Sequence, residues 1–579
     1  MAKEKHIATL DAEKIDISET HKEIVQAILR EHLANSCHVW VFGSRATWLA
    51  KEYSDLDLAI ARKDGTALSL TVMSAIETAF EDSLLPWKVD VIDLHSVSAE
   101  FRAAIERDKV LFSLNIESKW TKTKLKNIFK VKHGYAFKSI HFSEKPSRFV
   151  LVTPGNFSTS GGFQNNKPKY YCGPIPNDYV LKPGQIVITM TDLSKNSDTL
   201  GLASIIPNDG NIWLHNQRVG LLEFNNNFSA DSKFISYFLR KHEYRSWIVG
   251  SATGTTVKHT APVRIQEYED MFPPLPEQKA IAHILGTLDD KIELNRQTNQ
   301  TLEAMAQALF QSWFVDFDPV IDKALSAGNE IPEAFQAKAA ARQALGDQRL
   351  ALPADVTALF PDAFVFTEEM GWIPEGWEVA PIKDFGTVIC GKTPAKSNHE
   401  NFGKNTPFIK IPDMHSSMFA ISPKEFLSKS GVSTQPKKTI PRGSVCVSCI
   451  ATVGKVIITN TASQTNQQIN SIVPKSFNLT PFLYFYMLTL NRQFHDLASG
   501  GSTTLNMNTS IFSNIQILKP PAPFLSIFFE KVNPLIEKIE AGENNTVILN
   551  TLRDTLLPKL ISGELRVADA EKFLGEVGV

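Results

Sequence analysis

The sequence predicts an α+β multidomain chain. An N-terminal α/β domain is followed by two mostly β modules, each trailed by a long helix, and the two helices form an antiparallel coiled coil. Three observations predict this. Residues 116–275 recur in altered form as residues 375–521, an apolar stripe at coiled-coil spacing follows each copy, and a Gly-Ser turn with alternating carboxylates lies among apolar strands near the N-terminus.

The totals bound the answer. A chain of 579 residues holds about three to five folded units, and 43% hydrophobic with 21% charged residues is too apolar for a disordered chain. No run approaches ~20 apolar residues, so no membrane span is expected, and the opening MAKEKHIATL lacks a signal-peptide core. Five scattered cysteines point to a reducing, cytoplasmic setting. Cys446 and Cys449 form a CxxC, but it sits in an apolar strand-like run with no second pair, which favours a core role over a metal or redox one. The net charge of −2 hides a pattern: residues 1–115 carry −6, residues 116–275 carry +8 and residues 375–521 carry +7, which leaves −11 for the rest. Two basic modules separated by acidic segments suit a phosphate backbone at the modules only.

The first domain spans 1–115. An apolar strand (38–42) ends in Gly43-Ser44; ten residues later Asp55-Leu56-Asp57 opens a second strand, and a third, WKVDVID (87–93), carries Asp90 and Asp93. Residues two apart on a strand face one side, so Asp55 and Asp57 project together. With Asp90 from a neighbouring strand they could hold two Mg²⁺ ions against a triphosphate and support in-line attack. Asp93 shares that side only with a bulge or slip. Gly43 permits close backbone approach, and Ser44 with the N–H groups of a following short helix would hold phosphate oxygens. The plain alternative is an Asp-rich turn beside a buried strand. The GS-x10-DxD arrangement resembles the nucleotidyltransferase superfamily, in particular the minimal type that serves as an antitoxin. The resemblance implies Mg²⁺ and ATP as cofactors, transfer of AMP to a protein hydroxyl, and a toxin-type protein partner. It leaves open whether a fused copy still catalyses or is kept as a docking module.

The first module (116–275) and the second (375–521) share a pattern of short β-branched runs broken by Gly, Pro and Asn. Trp120 matches Trp377 and Gly134 matches Gly391; LKPGQIVI (181–188), HNQRV (215–219) and ATGTTV (252–257) resemble IPRGSVCV (440–447), TNQQI (465–469) and GGSTTL (500–505). Each ends in a proline step. Lys122, Lys124, Lys126, Lys130 and Lys132 open the first module at even spacing; on one strand they would share a face and bind phosphates, or simply be solvated. The loops 251–259 and 499–508 offer Thr255, Thr256, Lys258, His259, Ser502, Thr503 and Asn506 as groups able to reach base edges or phosphates. Gln217 and Gln467 could pair with adenine, against which stands their nearness to strand-like cores.

A helix at 276–320 carries Ile281, Leu285, Leu288, Ile292, Leu302, Ala306, Leu309 and Trp313, with Asn295 and Asn299 in the middle. The C-terminal helix (522–567) repeats the stripe with Phe528, Val532, Leu535, Ile539, Leu549, Arg553, Leu556 and Leu560 around Gly542 and Thr546, before a tail at 568–579. The shared polar interruption predicts helices that cross or loosen at their centres, and Gly542 leaves a break in the second one open. Between them, 321–374 is a linker or a helical docking element, because EAFQAKAAARQALGDQRLAL is a good helix former. Such a chain is a bipartite reader: a helical ruler holds two basic modules for DNA segments about one turn or more apart, near ~34 Å.

The stretch 273–320 (PPLPEQKAIAHILGTLDDKIELNRQTNQTLEAMAQALFQSWFVDFDPV), EMGWIPEGWEV (369–379) and LRDTLLPKLISGELRV (552–567) resemble the specificity subunit of type I restriction-modification systems, over about 116–579. The resemblance implies that the modules are target-recognition domains, each reading half of a split double-stranded DNA target. It implies docking of two methyltransferase subunits, which use S-adenosylmethionine to methylate adenine N6, and of an ATP-dependent restriction-translocase subunit. The chain has no Asp/Asn-Pro-Pro-Tyr/Phe motif and no GxxxxGK[ST] loop, so that chemistry is expected in the partners. Alternative readings are a protein nucleotidyltransferase that the DNA-reading part targets or regulates, and a reader acting without restriction.

Overall fold

The structure is a computed structural model; it describes residues 15–33, 37–47, 49–51, 53–112, 114, 120–159, 161–194, 196–225, 229–346, 352–415, 417–499 and 505–576. The chain divides into two compact units, one formed by residues 1–123 with 271–274 and the other by 124–270 with 275–579.

The first unit is a four-stranded sheet with helices. Its elements are α1 (Glu19–His32), β1 (Cys37–Phe42), β2 (Leu56–Arg62), α2 (Leu70–Glu81), β3 (Val89–Asp93), α3 (Ala99–Asp108) and β4 (Val110–Leu111), in strand order β3-β2-β1-β4. Each helix starts at a serine, Ser18, Ser69 or Ser98, whose hydroxyl accepts a backbone N–H of the first turn. The core joins Val25 and Leu29 of α1, Val39 and Val41 of β1, Leu56, Leu58 and Ile60 of β2, and Ile76 and Phe80 of α2. β2 runs antiparallel to β1 and parallel to β3. The helix expected after Gly43-Ser44 is only a single 3₁₀ turn, Gly43–Arg45.

The second unit holds the main sheets of both modules. In the first, strands Ala203–Ile205, Ile186–Thr189, Val219–Phe224 and Phe129–His133 form one antiparallel sheet in that order. In the second, Val456–Ile458, Val445–Ser448, Ile469–Pro474 and Gly386–Cys390 repeat the order strand for strand. A smaller sheet in each adds a parallel contact, Phe149–Leu151 with Ile212–Leu214 and Phe408–Ile409 with Gln464–Thr465. The duplication seen in the sequence is therefore a duplication of topology. The CxxC thiols lie in the second sheet's core, where burial pushes both Cys446 and Cys449 up to about 12.

The two long helices span Leu275–Phe314 and Ala522–Ser562. They run antiparallel: Asp289 meets Arg553, Asn299 Nδ2 donates to Ile539 O, and Phe310, Trp313 and Phe314 pack on Phe528. Most stripe residues are buried toward both ends and those between Ile292 and Leu302 are only partly covered; of the crossing or loosening expected at the polar centre, the structure shows a close crossing. The break left open at Gly542 does not occur. The helix continues through it, and a Cβ there would fall 2.4 Å from Asn299 Oδ1, so glycine lets the two helices approach. Between them, helices Asp318–Ala327, Glu333–Leu345 and Ala354–Leu359 fold back on the pair; Arg342 is tied to Asp318 and Asp322.

The lysine run needs correction. Lys122 and Lys124 lie on strand Thr121–Lys124, Lys126 lies in a helical turn (Leu125–Ile128), and Lys130 and Lys132 lie on Phe129–His133. Leu125 and Ile128 are fully buried, and their three-residue spacing turns the backbone into a helix where even spacing had suggested a continuous strand.

Candidate functional site

Two sites take shape, one in each unit. In the first unit Gly43 adopts φ +72°, and a Cβ on it would lie 2.6 Å from Asp57 Oδ2. The turn therefore needs glycine both for its backbone and for the carboxylate it faces. Asp57 and Asp90 are direct partners in the parallel register of β2 and β3, and Asp55 precedes β2 by one residue. Burial raises the Asp57 carboxyl above its ordinary value, and the charges of Asp90 and Asp55 raise it further. Mutual repulsion of this kind is relieved by a cation, so the donor set fits a divalent metal chemically. The side chains are not yet gathered around one: Lys88 Nζ holds Asp90 Oδ1 at 2.5 Å, and among the described residues no three His, Cys, Asp or Glu side chains converge as a metal cage. Asp93 is occupied elsewhere, accepting from Leu68 N, His95 N and Ser96 Oγ at 2.8–3.0 Å.

Sequence reasoning missed two residues here. Arg45 is buried; its guanidinium donates to Ser54 O at 2.7 and 3.0 Å and to Asp16 O at 2.8 Å, and it lies 4.5 Å from the Trp87 ring centroid. It anchors the loop that delivers Asp55. Lys88 stands two residues before Asp90, and that alternation in WKVDVID was the available signal.

In the second unit the predicted contact residues separate into groups. Lys124 and Lys126 both bind the Glu267 carboxylate, at 2.7 and 2.9 Å, and these hydrogen bonds hold it down at about 2. Lys132 Nζ donates to Asp178 O at 3.2 Å above the Tyr179 ring, while Lys130 is exposed. Thr253 and His259 exchange both backbone hydrogen bonds, which leaves Thr255 and Thr256 exposed at the tip of a tight loop. Lys258 and His259 pair with Thr191–Asp192, and His259 Nδ1 lies 3.2 Å from Thr191 Oγ1. Asn506 is exposed and bridges Ile450, the counterpart contact in the second module. Ser502 and Thr503 lie outside the described residues.

Residues 117–304 and 374–547 match the family model described as type I restriction modification DNA specificity domain, and residues 23–117 match that described as polymerase beta, nucleotidyltransferase. The specificity subunit of the type I restriction enzyme HindI of Haemophilus influenzae is 43% identical over 348 residues, covering 56% of this chain and 74% of that protein. The probable protein adenylyltransferase MntA of the same species is 39% identical over 94 residues, 16% of this chain and 80% of that one. Among solved structures, the S subunit of a type I restriction-modification system from M. genitalium aligns over 77% of this chain and 97% of that one, at 15% identity and a TM-score of 0.46. The specificity-domain matches take in more than half of the chain, both modules and the start of the helix after each; the chain belongs to the type I restriction-modification DNA specificity family, as a sequence-specificity subunit with a nucleotidyltransferase-like N-terminal domain.

Proposed function

We propose that this subunit reads a split target in double-stranded DNA, one half per module, with the antiparallel helices setting the distance between the halves. The observation that carries this is the repeated sheet order on an antiparallel helix pair, which gives one chain the pseudo-two-fold arrangement that two separated half-sites require. Lys122, Lys130, Lys132 and Lys258 are proposed phosphate contacts, with Lys124 and Lys126 joining only by leaving Glu267. Thr255, Thr256, His259, Ser502, Thr503 and Asn506 are proposed for base or backbone contact. In this reading two methyltransferase subunits dock on the helices and on the 321–374 segment and methylate adenine N6 with S-adenosylmethionine, while a restriction-translocase subunit uses ATP. Adenine methylation mapped genome-wide in cells with the methyltransferase, with and without this chain, is expected to show a split motif that vanishes with the chain. A motif unchanged by its removal overturns the reading.

A second reading concerns the first unit alone, and the Gly43–Asp57 approach with the Asp57–Asp90 register favours it. Asp55, Asp57 and Asp90 would hold Mg²⁺, which supplies charge neutralisation at the triphosphate of ATP, and Gly43 and Ser44 would line the phosphates. A protein hydroxyl, on a toxin-type partner, would attack the α-phosphorus; the α–β phosphoanhydride bond breaks, pyrophosphate leaves, and the hydroxyl proton passes to solvent or a base. Asp57→Asn is expected to cut AMP labelling of a partner from ATP by at least ~100-fold, on the scale of losing a metal-site interaction. DNA methylation is expected to be unchanged. Equal labelling by both proteins refutes the metal role of Asp57.

A further inference from the structure

The end of each module's main sheet carries the same turn. In the first module Asn216 Oδ1 accepts the Arg218 N–H at 3.2 Å, and Asn216 O accepts the Val219 N–H at 3.0 Å. In the second, Asn466 Oδ1 accepts the Gln468 N–H at 3.2 Å, and Asn466 O accepts the Ile469 N–H at 3.2 Å. Both are asparagine-anchored turns, and in both the residue at the free corner is an exposed glutamine, Gln217 or Gln467. The opposite wall is duplicated too: a Cβ on Gly134 would lie 2.1 Å from Asn216 O, and one on Gly391 would lie 2.2 Å from Asn466 O.

The turn is also laced to the loop singled out in each module. Met190 N–H donates to Arg218 O at 3.0 Å, and Met190 O accepts from Thr260 N–H at 3.0 Å. Cys449 N–H donates to Gln468 O at 2.8 Å, and Cys449 O accepts from Met507 N–H at 2.9 Å. One strand therefore separates the glutamine turn from the Thr253–His259 loop, and likewise from Asn506, so turn and loop share one edge of the module. That edge is basic: Lys132 and Arg218 flank the first turn, and Lys392 and Lys438 flank the second, Lys438 Nζ donating to Cys390 O at 2.8 Å. In the second module Thr393 Oγ1 donates to Gln467 Oε1 at 2.7 Å and orients the amide.

A primary amide presents a donor and an acceptor side by side, the complement of adenine N7 and N6 in the major groove. We propose that each module reads an adenine through the glutamine at the corner of its asparagine turn, Gln217 in the first and Gln467 in the second. The proposal rests on the split-target reading above and goes further, because it names the residue and the base. A side chain buried in the strand core could not do this; exposure at an anchored corner supplies both access and a fixed geometry.

The test uses the full chain with its methyltransferase partner in cells, with adenine methylation mapped genome-wide. Gln217→Ala is expected to keep the second half-site and the spacing, and to accept other bases at one adenine position of the first half-site about 10- to 100-fold more readily. Gln217→Glu, which can only accept, is expected to move that position toward cytosine. Gln467→Ala and Gln467→Glu should act likewise on the other half-site. If a variant abolishes methylation, binding of its complex to duplexes substituted base by base at that half-site reads the same loss of discrimination. An unchanged motif, or weakening spread evenly over all sequences as a phosphate contact gives, overturns the proposal. A wild-type motif that does not depend on the chain overturns the split-target reading itself.

Discussion

Asp289→Ala is expected to lower the opening free energy of the long-helix pair by about 3–5 kcal/mol, the cost of stripping the partner from a buried ion pair. Asp289 sits where both helices meet the first module. Its Oδ1 takes Arg553 Nη1 at 2.9 Å, and its Oδ2 takes the Tyr237 hydroxyl at 2.7 Å and lies 3.8 Å from Arg240 Nη1. The Arg553 and Arg240 side chains are 4% and 11% exposed, so one alanine leaves two guanidinium groups without their shared carboxylate. Burial already lowers the Arg240 pKa; at Arg553 burial works the same way but is outweighed by the hydrogen bonds to Asp289 and Asp554. Arg553→Met should cost markedly less, because Asp289 then keeps Tyr237 and Arg240. Native-state hydrogen exchange at the amides of Leu285–Leu288 and Leu549–Leu556 measures both effects. Equal costs for the two variants contradict the shared-carboxylate account.

The second large effect concerns pH. Glu543 faces the second module from the middle of the C-terminal helix, its carboxyl accepting from Met418 N at 3.0 Å and Phe419 N at 3.3 Å. Burial pushes it up to about 8 from an ordinary 4.5; the two hydrogen bonds oppose this, and the charges of Glu303 and Glu540 add to it. Glu303 is itself the acceptor of the Tyr484 hydroxyl at 2.9 Å. The native state therefore keeps a proton that the unfolded chain has lost. This group's contribution is most favourable below pH 4.5, falls as pH rises from there to about 8, and is flat above. Glu543→Gln removes the charge but keeps only one of the two acceptor oxygens, so it leaves one of the Met418 and Phe419 N–H groups unpaired at every pH, and relative to glutamate it is expected to be about 2–4 kcal/mol more favourable at pH 8 than near pH 4.5. Exchange rates around Phe419 at the two pH values give the answer; an effect equal at both would refute the ionisation account.

Particular residues show how much could be read in advance. The repeat was legible because the segments 215–219 and 465–469 keep Asn-Gln at the same sheet position, where the chain must turn and the neighbouring glycine must touch it. The helices were legible because an apolar stripe at heptad spacing must be covered, and each stripe here is covered in part by the other. Asp57 could be placed on the strand that follows the Gly43 turn because the apolar run around it reads as a strand, while Asp55, expected to share that strand, lies one residue before it. The lysine run was misread because the pull of Leu125 and Ile128 toward the core is a tertiary preference that overrode even spacing. Arg45 is not legible in advance because its partners, the carbonyls of Ser54 and Asp16, are defined by what folding brings near it, whereas the Lys88–Asp90 alternation was there to be read.

The amino-acid sequence by itself carried the duplication, the two long helices and the carboxylate-bearing domain, which follow from local periodicity and motif spacing, and the family resemblance, which rests on particular stretches such as 273–320. Only the tertiary structure decided that Gly542 is a close crossing with Asn299, that Asp289 serves two arginines and a tyrosine, and that Gln217 and Gln467 stand exposed at matching corners. Each of those facts joins residues distant in the chain or turns on solvent access. Contacts and burial of that kind are settled by packing, for which local sequence carries no signal.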